Sequence, residues 1–303
     1  MATGGSKALV FAATAGNVAV AGTTFVAPLP ASSPFESPAT GDLMHFLFPT
    51  DPRGRNVPED LFEEQAVALA AAGFASSLLS DGVLRNGRGL EGVPPAATVV
   101  YRGWMLNAAE YGRLAGAIES AGGVPLTPPR EYLLAHHLPN WYPLIPDLTP
   151  ETRVYPADAD WVRELGALGW DGFFVKDYVK SLKTSVGSLV RDPARIDRVV
   201  AEMKAYRGEI EGGICVRRVE DFVAGTERRY FVIRGRPYTA DPSEPIPDAV
   251  RTCAERIPSP FFSVDVVQRS DGVSRVVEVG DGQVSDLVGW SAERFAGVWQ
   301  EAR

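Results

Sequence analysis

Cysteine is nearly absent. Cys215 and Cys253 are the only two in 303 residues, and neither belongs to a disulfide framework, which points to a reducing compartment. Histidine is almost as scarce. His45, His136 and His137 lack zinc-ligand spacing, and neighbours on a helix point to different faces, so a surface or interdomain role is expected for His136 and His137. Net positive charge is missing as well: the formal charge is -8 at pH 7. That argues against a general nucleic-acid or anionic-membrane binder, although local basic clusters occur. The most apolar run, 8–27, is interrupted by Gly and Thr and is too weak for a transmembrane helix. No Gly-x-x-x-x-Gly-Lys-Ser/Thr loop, no Ser-His-Asp or Cys-His nucleophile set and no internal repeat occurs.

What is present is enough apolar residue, 45% of the chain, to bury a full core in two or more subdomains. Residues 1–43 stand apart, rich in Ala, Gly, Thr, Ser and Pro with only Lys7, Glu36 and Asp42 charged. They read as a disordered extension or as the product of an upstream start codon ahead of Met44. A secretory signal is the alternative, since Lys7 precedes an apolar stretch; otherwise a cytoplasmic protein is expected. From Met44 the pattern alternates strand (44–49), helix (60–72), strand (74–79), strand (97–102) and helix (108–121). This predicts a small α/β layer with a mainly parallel sheet over 44–125. The segment 125–156, rich in Pro and aromatics, reads as a connection packed between domains. The C-terminal half is expected to be α+β: helices over 161–168 and 194–206, strands over 173–177, 185–190, 214–219 and 228–233, a hairpin, and a closing helix over 285–302. The second domain then spans 126–303.

Three stretches carry chemistry. In the hairpin, 261–268 and 274–283 read as strands joined at Ser270-Asp-Gly272. Alternation sets Asp265 opposite Phe262, Val264 and Val266, and Glu278 opposite Val277 and Val279. Two carboxylates on neighbouring strands are costly to bury unless a cation or a metal meets them, and hard oxygen ligands one strand apart suit Mg²⁺; two solvent-facing acids are the alternative. Upstream, Lys176 lies inside an apolar strand, where it either snorkels to an edge or meets an anion. Lys180, Lys183, Thr184, Ser185, Gly187 and Ser188 follow in a hydroxyl-rich turn with the makings of a phosphate cradle. Finally, Arg229 alternates with Phe231 and Ile233 and faces the core side, where a guanidinium wants a bidentate anionic partner. Pairing with Glu227 or Glu220 is its structural alternative.

Taken in order, strand lysine, small-residue loop, helix, strand with an acidic end, Gly-x-Glu-x-Arg strand, Asp strand and Glu strand resemble the ATP-grasp superfamily. Tyr101-Arg-Gly-Trp-Met-Leu106, the Lys176 strand and Glu278-Val-Gly-Asp-Gly-Gln283 resemble, more narrowly, a divergent bacterial and phage clade marked by one arginine and two lysines. The resemblance implies an ATP-grasp fold preceded by the α/β layer. It also implies an ATP- and Mg²⁺-dependent carboxylate–amine ligase working through an acyl phosphate, with a phosphotransferase or a non-catalytic nucleotide-binding module as alternatives. Partners would be small-molecule or peptide carboxylates and amines, and related domains are often dimeric. By residue, Lys176 would touch the α- or β-phosphate, and the loop with Lys183, Ser185 and Ser188 would close over the β- and γ-phosphates. Arg218, Glu220 and Asp221 would flank adenine and ribose. Glu227 would take the acidic position before Arg229, and Arg229 would meet the γ-phosphate or acyl phosphate. Arg102 would reach the cleft to bind the acceptor carboxylate. Asp265 and Glu278 would ligate magnesium. Gly280 stands where the superfamily commonly has Asn, so Asp281 or Gln283 is the expected substitute.

Overall fold

The structure is a computed structural model that describes residues 43–179, 188–208 and 210–303. Its first strand, β1 (Met44–Pro49), runs parallel to β2 (Ala75–Leu79) on one side and β3 (Thr98–Tyr101) on the other. A short β4 (Val124–Pro125) lies beyond β3. Parallel strands are normally covered on both faces. Here α1 (Asp60–Ala71) packs Phe62 and Leu69 with Met44, Phe46 and Phe48, while α3 (Ala108–Ser120) packs Leu114 and Ile118 with Leu47. Asn107 starts α3 with a capping box: its side chain accepts from the Ala109 and Glu110 amides, and the Glu110 side chain accepts from the Asn107 amide. A short α2 (Asp81–Asn86) completes this layer.

The stretch expected as a connector is structured. It holds α4 (Pro129–His136), α5 (Leu138–Trp141) and an edge strand, β5 (Thr152–Tyr155). Proline in the first turn of both helices fits the one place where a missing N–H costs nothing. After α6 (Trp161–Gly166), strands β6 (Phe173–Asp177), β7 (Leu189–Val190) and β8 (Ile214–Arg218) join β5 in an antiparallel sheet of order β5-β8-β6-β7. The helix α7 (Ile196–Arg207) and α6 cover one face of it, around Trp161, Ile196, Val199 and Met203.

A second antiparallel sheet follows, of order β10-β9-β11-β12: β9 (Arg228–Ile233), β10 (Arg236–Tyr238), β11 (Phe261–Gln268) and β12 (Ser274–Asp281). On one face Val250 and Cys253 of α8 (Asp248–Arg256) pack against Val232, Val264 and Val276. On the other, Phe295 and Trp299 of α9 (Ala292–Glu301) pack against Phe231 and Phe261 and continue into Phe46 of the first layer. The closing helix therefore begins at Ala292 rather than at 285. Gly289 has φ +78, outside the helical region, and the Ser291 side chain caps the helix at the Arg294 amide.

One irregularity matters for the site. Asp265 pairs with Glu278 but Val266 pairs with Val276, so Val277 is the extra residue of a β-bulge. Simple alternation would set Val276 and Glu278 on one face. With the bulge, Val276 and Val279 both enter the apolar core, and Val277 and Glu278 both line a cavity.

Candidate active site between the two antiparallel sheets

A cavity of about 640 Å³ opens between the two antiparallel sheets. Its walls come from β6 and β8 on one side and from β11 and β12 on the other, and the segment 219–225 that links β8 to β9 lies along it. Phe174, Leu189, Val267 and Val277 supply apolar wall; Lys176, Arg217 and Glu278 supply charge. Of the residues expected from the sequence, the cavity gathers Lys176, Arg218, Glu220, Asp221, Glu227 and Glu278.

Behind Glu278 the charges continue in a row. Cross-strand register sets Arg229 of β9 beside Asp265 of β11, and Asp265 beside Glu278 of β12. Arg229 donates from Nε to Asp265 Oδ1 at 2.8 Å and from Nη2 to Oδ2 at 2.6 Å, the parallel fork that suits a carboxylate. Its Nη1 donates to the Asp286 carbonyl at 2.9 Å. Lys176 reaches across from the other sheet to Glu278 Oε1 at 3.3 Å. Two cations and two carboxylates thus interleave with no net charge. Burial lifts the Asp265 carboxyl above its ordinary range against the pull of Arg229. Burial also acts to raise Glu278, but Lys176, Arg229 and Arg217 outweigh it and hold that carboxyl below its ordinary range. The bidentate partner of Arg229 is therefore Asp265, where the sequence had offered Glu227 or Glu220.

Several expected residues lie elsewhere. Arg102 does not reach the cavity. It is 1% exposed, and its Nε and Nη2 donate to Gln65 Oε1 at 3.0 and 2.9 Å. Nη1 donates to the Gly282 carbonyl and Nη2 also to the Ser285 carbonyl at 2.9 Å, while Phe295 packs against the guanidinium. Burial lowers this guanidinium to about 10. The turn that satisfies it depends on Gly282, where a Cβ would lie 2.5 Å from the Phe261 ring. Asp281 does not join the other carboxylates either. It pairs with Phe262 on the opposite face of β12 and is fully buried. Its Oδ1 accepts from the Gln283 backbone and side-chain amides, while Oδ2 has no partner among the described residues. Burial pushes its carboxyl up to about 8. Gln283 is committed to the Tyr101 amide and the Tyr111 hydroxyl.

Glu220 lines the cavity but accepts from Nε and Nη2 of Arg275, each at 2.8 Å, leaving Asp221 as the exposed acid of that segment. Ser188 is buried, and its carbonyl accepts from the Val175 amide at 2.8 Å. Lys183 and Ser185 lie outside the described residues. Arg217, passed over in the sequence for its neighbour Arg218, is an additional buried cation of the cavity. Its alternation with Cys215 hinted at this, but only the β6–β8 register places it on the cavity side.

The Asp265–Glu278 pair tests the fit of a divalent cation. Two carboxylates on adjacent strands, sharing one face, suit a hard cation that keeps water or phosphate oxygens as its remaining ligands. No third acidic or imidazole ligand stands with them among the described residues. At Gly280, a Cβ would lie 3.1 Å from Ser285 Oγ and 3.2 Å from Ser263 Oγ. Those hydroxyls, 2.8 Å apart, occupy the ground a larger side chain would need.

Two antiparallel sheets gripping a charged cavity, behind a parallel α/β layer, make this an ATP-grasp fold. Solved structures agree on that fold. D-cycloserine synthetase DcsG superposes with a TM-score of 0.54 at 16% identity, covering 85% of this chain and 99% of its own. ATP-grasp ligase PsnB, complexed with a minimal precursor, Mg and ADP, gives 0.54 at 14% over 86% and 97%. D-alanine–D-alanine ligase from Bacillus anthracis, complexed with ATP, gives 0.53 at 11% over 85% and 91%. Residues 167–301 match the model of an ATP-grasp domain, family 3 of the clade named for one arginine and two lysines. Over those residues the chain is similar to an ATP-grasp domain of that clade. No curated protein matches the sequence. Among the described residues, no helix is long and apolar enough to cross a membrane.

Proposed function

We propose that the protein is an ATP-dependent carboxylate–amine ligase. The observation that carries this reading is the interleaved row Arg229–Asp265–Glu278–Lys176 at the cavity between the sheets. Such a row offers cations for phosphate oxygens and carboxylates for a divalent metal within one site. The neighbours of like fold are ligases by name, which supports the same reading.

In this reading adenine lies against the apolar wall near 219–223, and Asp221 takes the ribose hydroxyls. Lys176 binds the inner phosphates, and Arg229 stabilises charge on the phosphoryl group in flight. Asp265 and Glu278 would hold Mg²⁺, whose contribution when bound would be to offset phosphate charge. The substrate carboxylate takes the γ-phosphoryl group as the bond to the ADP oxygen breaks, giving an acyl phosphate. An amine then attacks the acyl carbon and expels inorganic phosphate, leaving an amide. Purified protein, given ATP, Mg²⁺ and a panel of amino acids and small carboxylic acids, should release ADP and phosphate with the right acid. Hydroxylamine should trap the acyl group as a hydroxamate. AMP and pyrophosphate as products would sink the proposal.

One observation favours a second reading, a nucleotide-binding module without turnover. Gly280 contributes no ligand, and Asp281 faces away from Asp265 and Glu278. Tight Mg²⁺-dependent nucleotide binding with no ADP release across the whole panel would support it.

A further inference from the structure

Glu278 owes its place to a bulge, and the bulge is tied down from the opposite sheet. Arg217 of β8 is 4% exposed. Its Nη1 donates to the carbonyl of Val277, the extra residue of the bulge, and its Nη2 donates to Thr149 Oγ1. Thr149 Oγ1 in turn donates to the Val276 carbonyl at 2.8 Å, and the Val276 amide donates to the Leu148 carbonyl at 2.9 Å. The Val276 and Val277 carbonyls at the bulge are therefore both satisfied through Arg217 and its partner. Trp141 packs 6.0 Å from the guanidinium. A bulge is a local defect of pairing that needs such support.

Resting on the ligase reading for what Glu278 binds, we infer that Arg217 is a positioning residue. It pins the β12 bulge and thereby turns Glu278 into the cavity, within reach of Lys176. Its hydrogen bonds run to protein oxygens, so its effect passes through the carboxylate. It acts as an outer partner does at a metal site: it orients a ligand that it does not itself replace.

The test uses the nucleotide analogue adenylyl imidodiphosphate in calorimetric titrations, once with MgCl₂ and once with EDTA. Arg217→Met should weaken the affinity measured with MgCl₂ roughly 10- to 100-fold and that measured in EDTA by much less. Arg217→Lys, which keeps the charge and one donor, should fall between. In a double-mutant cycle, Arg217→Met should add little to Glu278→Gln, because one acts through the other. Equal losses with and without Mg²⁺ would mean a direct phosphate contact and overturn the inference, as would fully additive losses. A wild-type protein that binds the analogue in neither buffer would instead defeat the ligase reading. Amide hydrogen exchange on the nucleotide-free proteins separates the two failures: Arg217→Met should raise exchange across 276–279. Unchanged protection there, in a variant with native circular dichroism, would also overturn the pinning.

Discussion

Two arginines withdrawn to different degrees from water teach different lessons. Arg229 forks onto a carboxylate, in a charged row that leads to a cavity. Arg102 donates to neutral partners, an amide side chain and two carbonyls, where β3 meets the turn after β12. Arg102 is buried and Arg229 half-buried, yet only Arg229 stands beside a charge, which the proposed function would let a ligand replace. On the proposed function, exchange with an incoming phosphate or metal would cost Arg229 one partner and supply another. For Arg102 no such exchange exists, because its acceptors are parts of the fold. Burial of an arginine is thus no mark of a site; the identity of its acceptors is.

The sharpest test of that contrast removes the exchangeable carboxylates. Asp265→Asn and Glu278→Gln should each lower Mg²⁺-dependent ADP release on the order of 10²–10³-fold with native circular dichroism; full activity in both would undo the metal assignment. The complementary substitution, Arg102→Met, should leave Mg²⁺–nucleotide affinity unaltered. It strands the Gly282 and Ser285 carbonyls, so chemical denaturation should show a loss of about 3 kcal/mol. A collapse of nucleotide affinity in a folded Arg102→Met protein would mean that the two arginines differ less than their partners suggest.

A smaller effect should appear at Asp281. Its folded pKa is raised to about 8 by burial, whereas an unfolded aspartate titrates near ~3.9. Between those values the folded state holds the extra proton, so this group makes stability fall as pH rises from roughly 4 to 8, with no further change above. Asp281→Asn removes that slope. Its stability relative to wild type should climb through this window, measured by urea denaturation at several pH values; a constant difference would place the Asp281 proton elsewhere.

The legible part of the fold was whatever period-2 alternation could carry. Lys176, Arg229 and Asp265 each interrupt an apolar face of a strand, and a charge in that setting announces a partner. Arg102 and Asp281 were misplaced because both sit where a strand ends, and there alternation gives way to turn geometry. Gly282 bends the chain so that its carbonyl meets Arg102, while Asp281 remains on the Phe262 side. The helices over 129–141 were hidden by prolines that punctuate their first turns. Arg217 was out of reach for a different reason. Its acceptor is a backbone carbonyl 60 positions away, and no side-chain pattern in either strand records which carbonyl a bulge will turn outward.

The joint around Arg102 also binds two parts of the fold into one. The Gly103 amide donates to the Gln283 carbonyl, the Tyr101 amide to the Gln283 side chain, and Arg102 to Gly282 and Ser285. Trp299 meanwhile sits against both Phe46 and Phe261. The parallel layer and the β10-β9-β11-β12 sheet are in this way one chassis. The β5-β8-β6-β7 sheet carries its own core with α6 and α7. That sheet meets the chassis through the Lys176–Glu278 ion pair and the Arg217–Val277 hydrogen bond, so side chains join the two walls of the cavity.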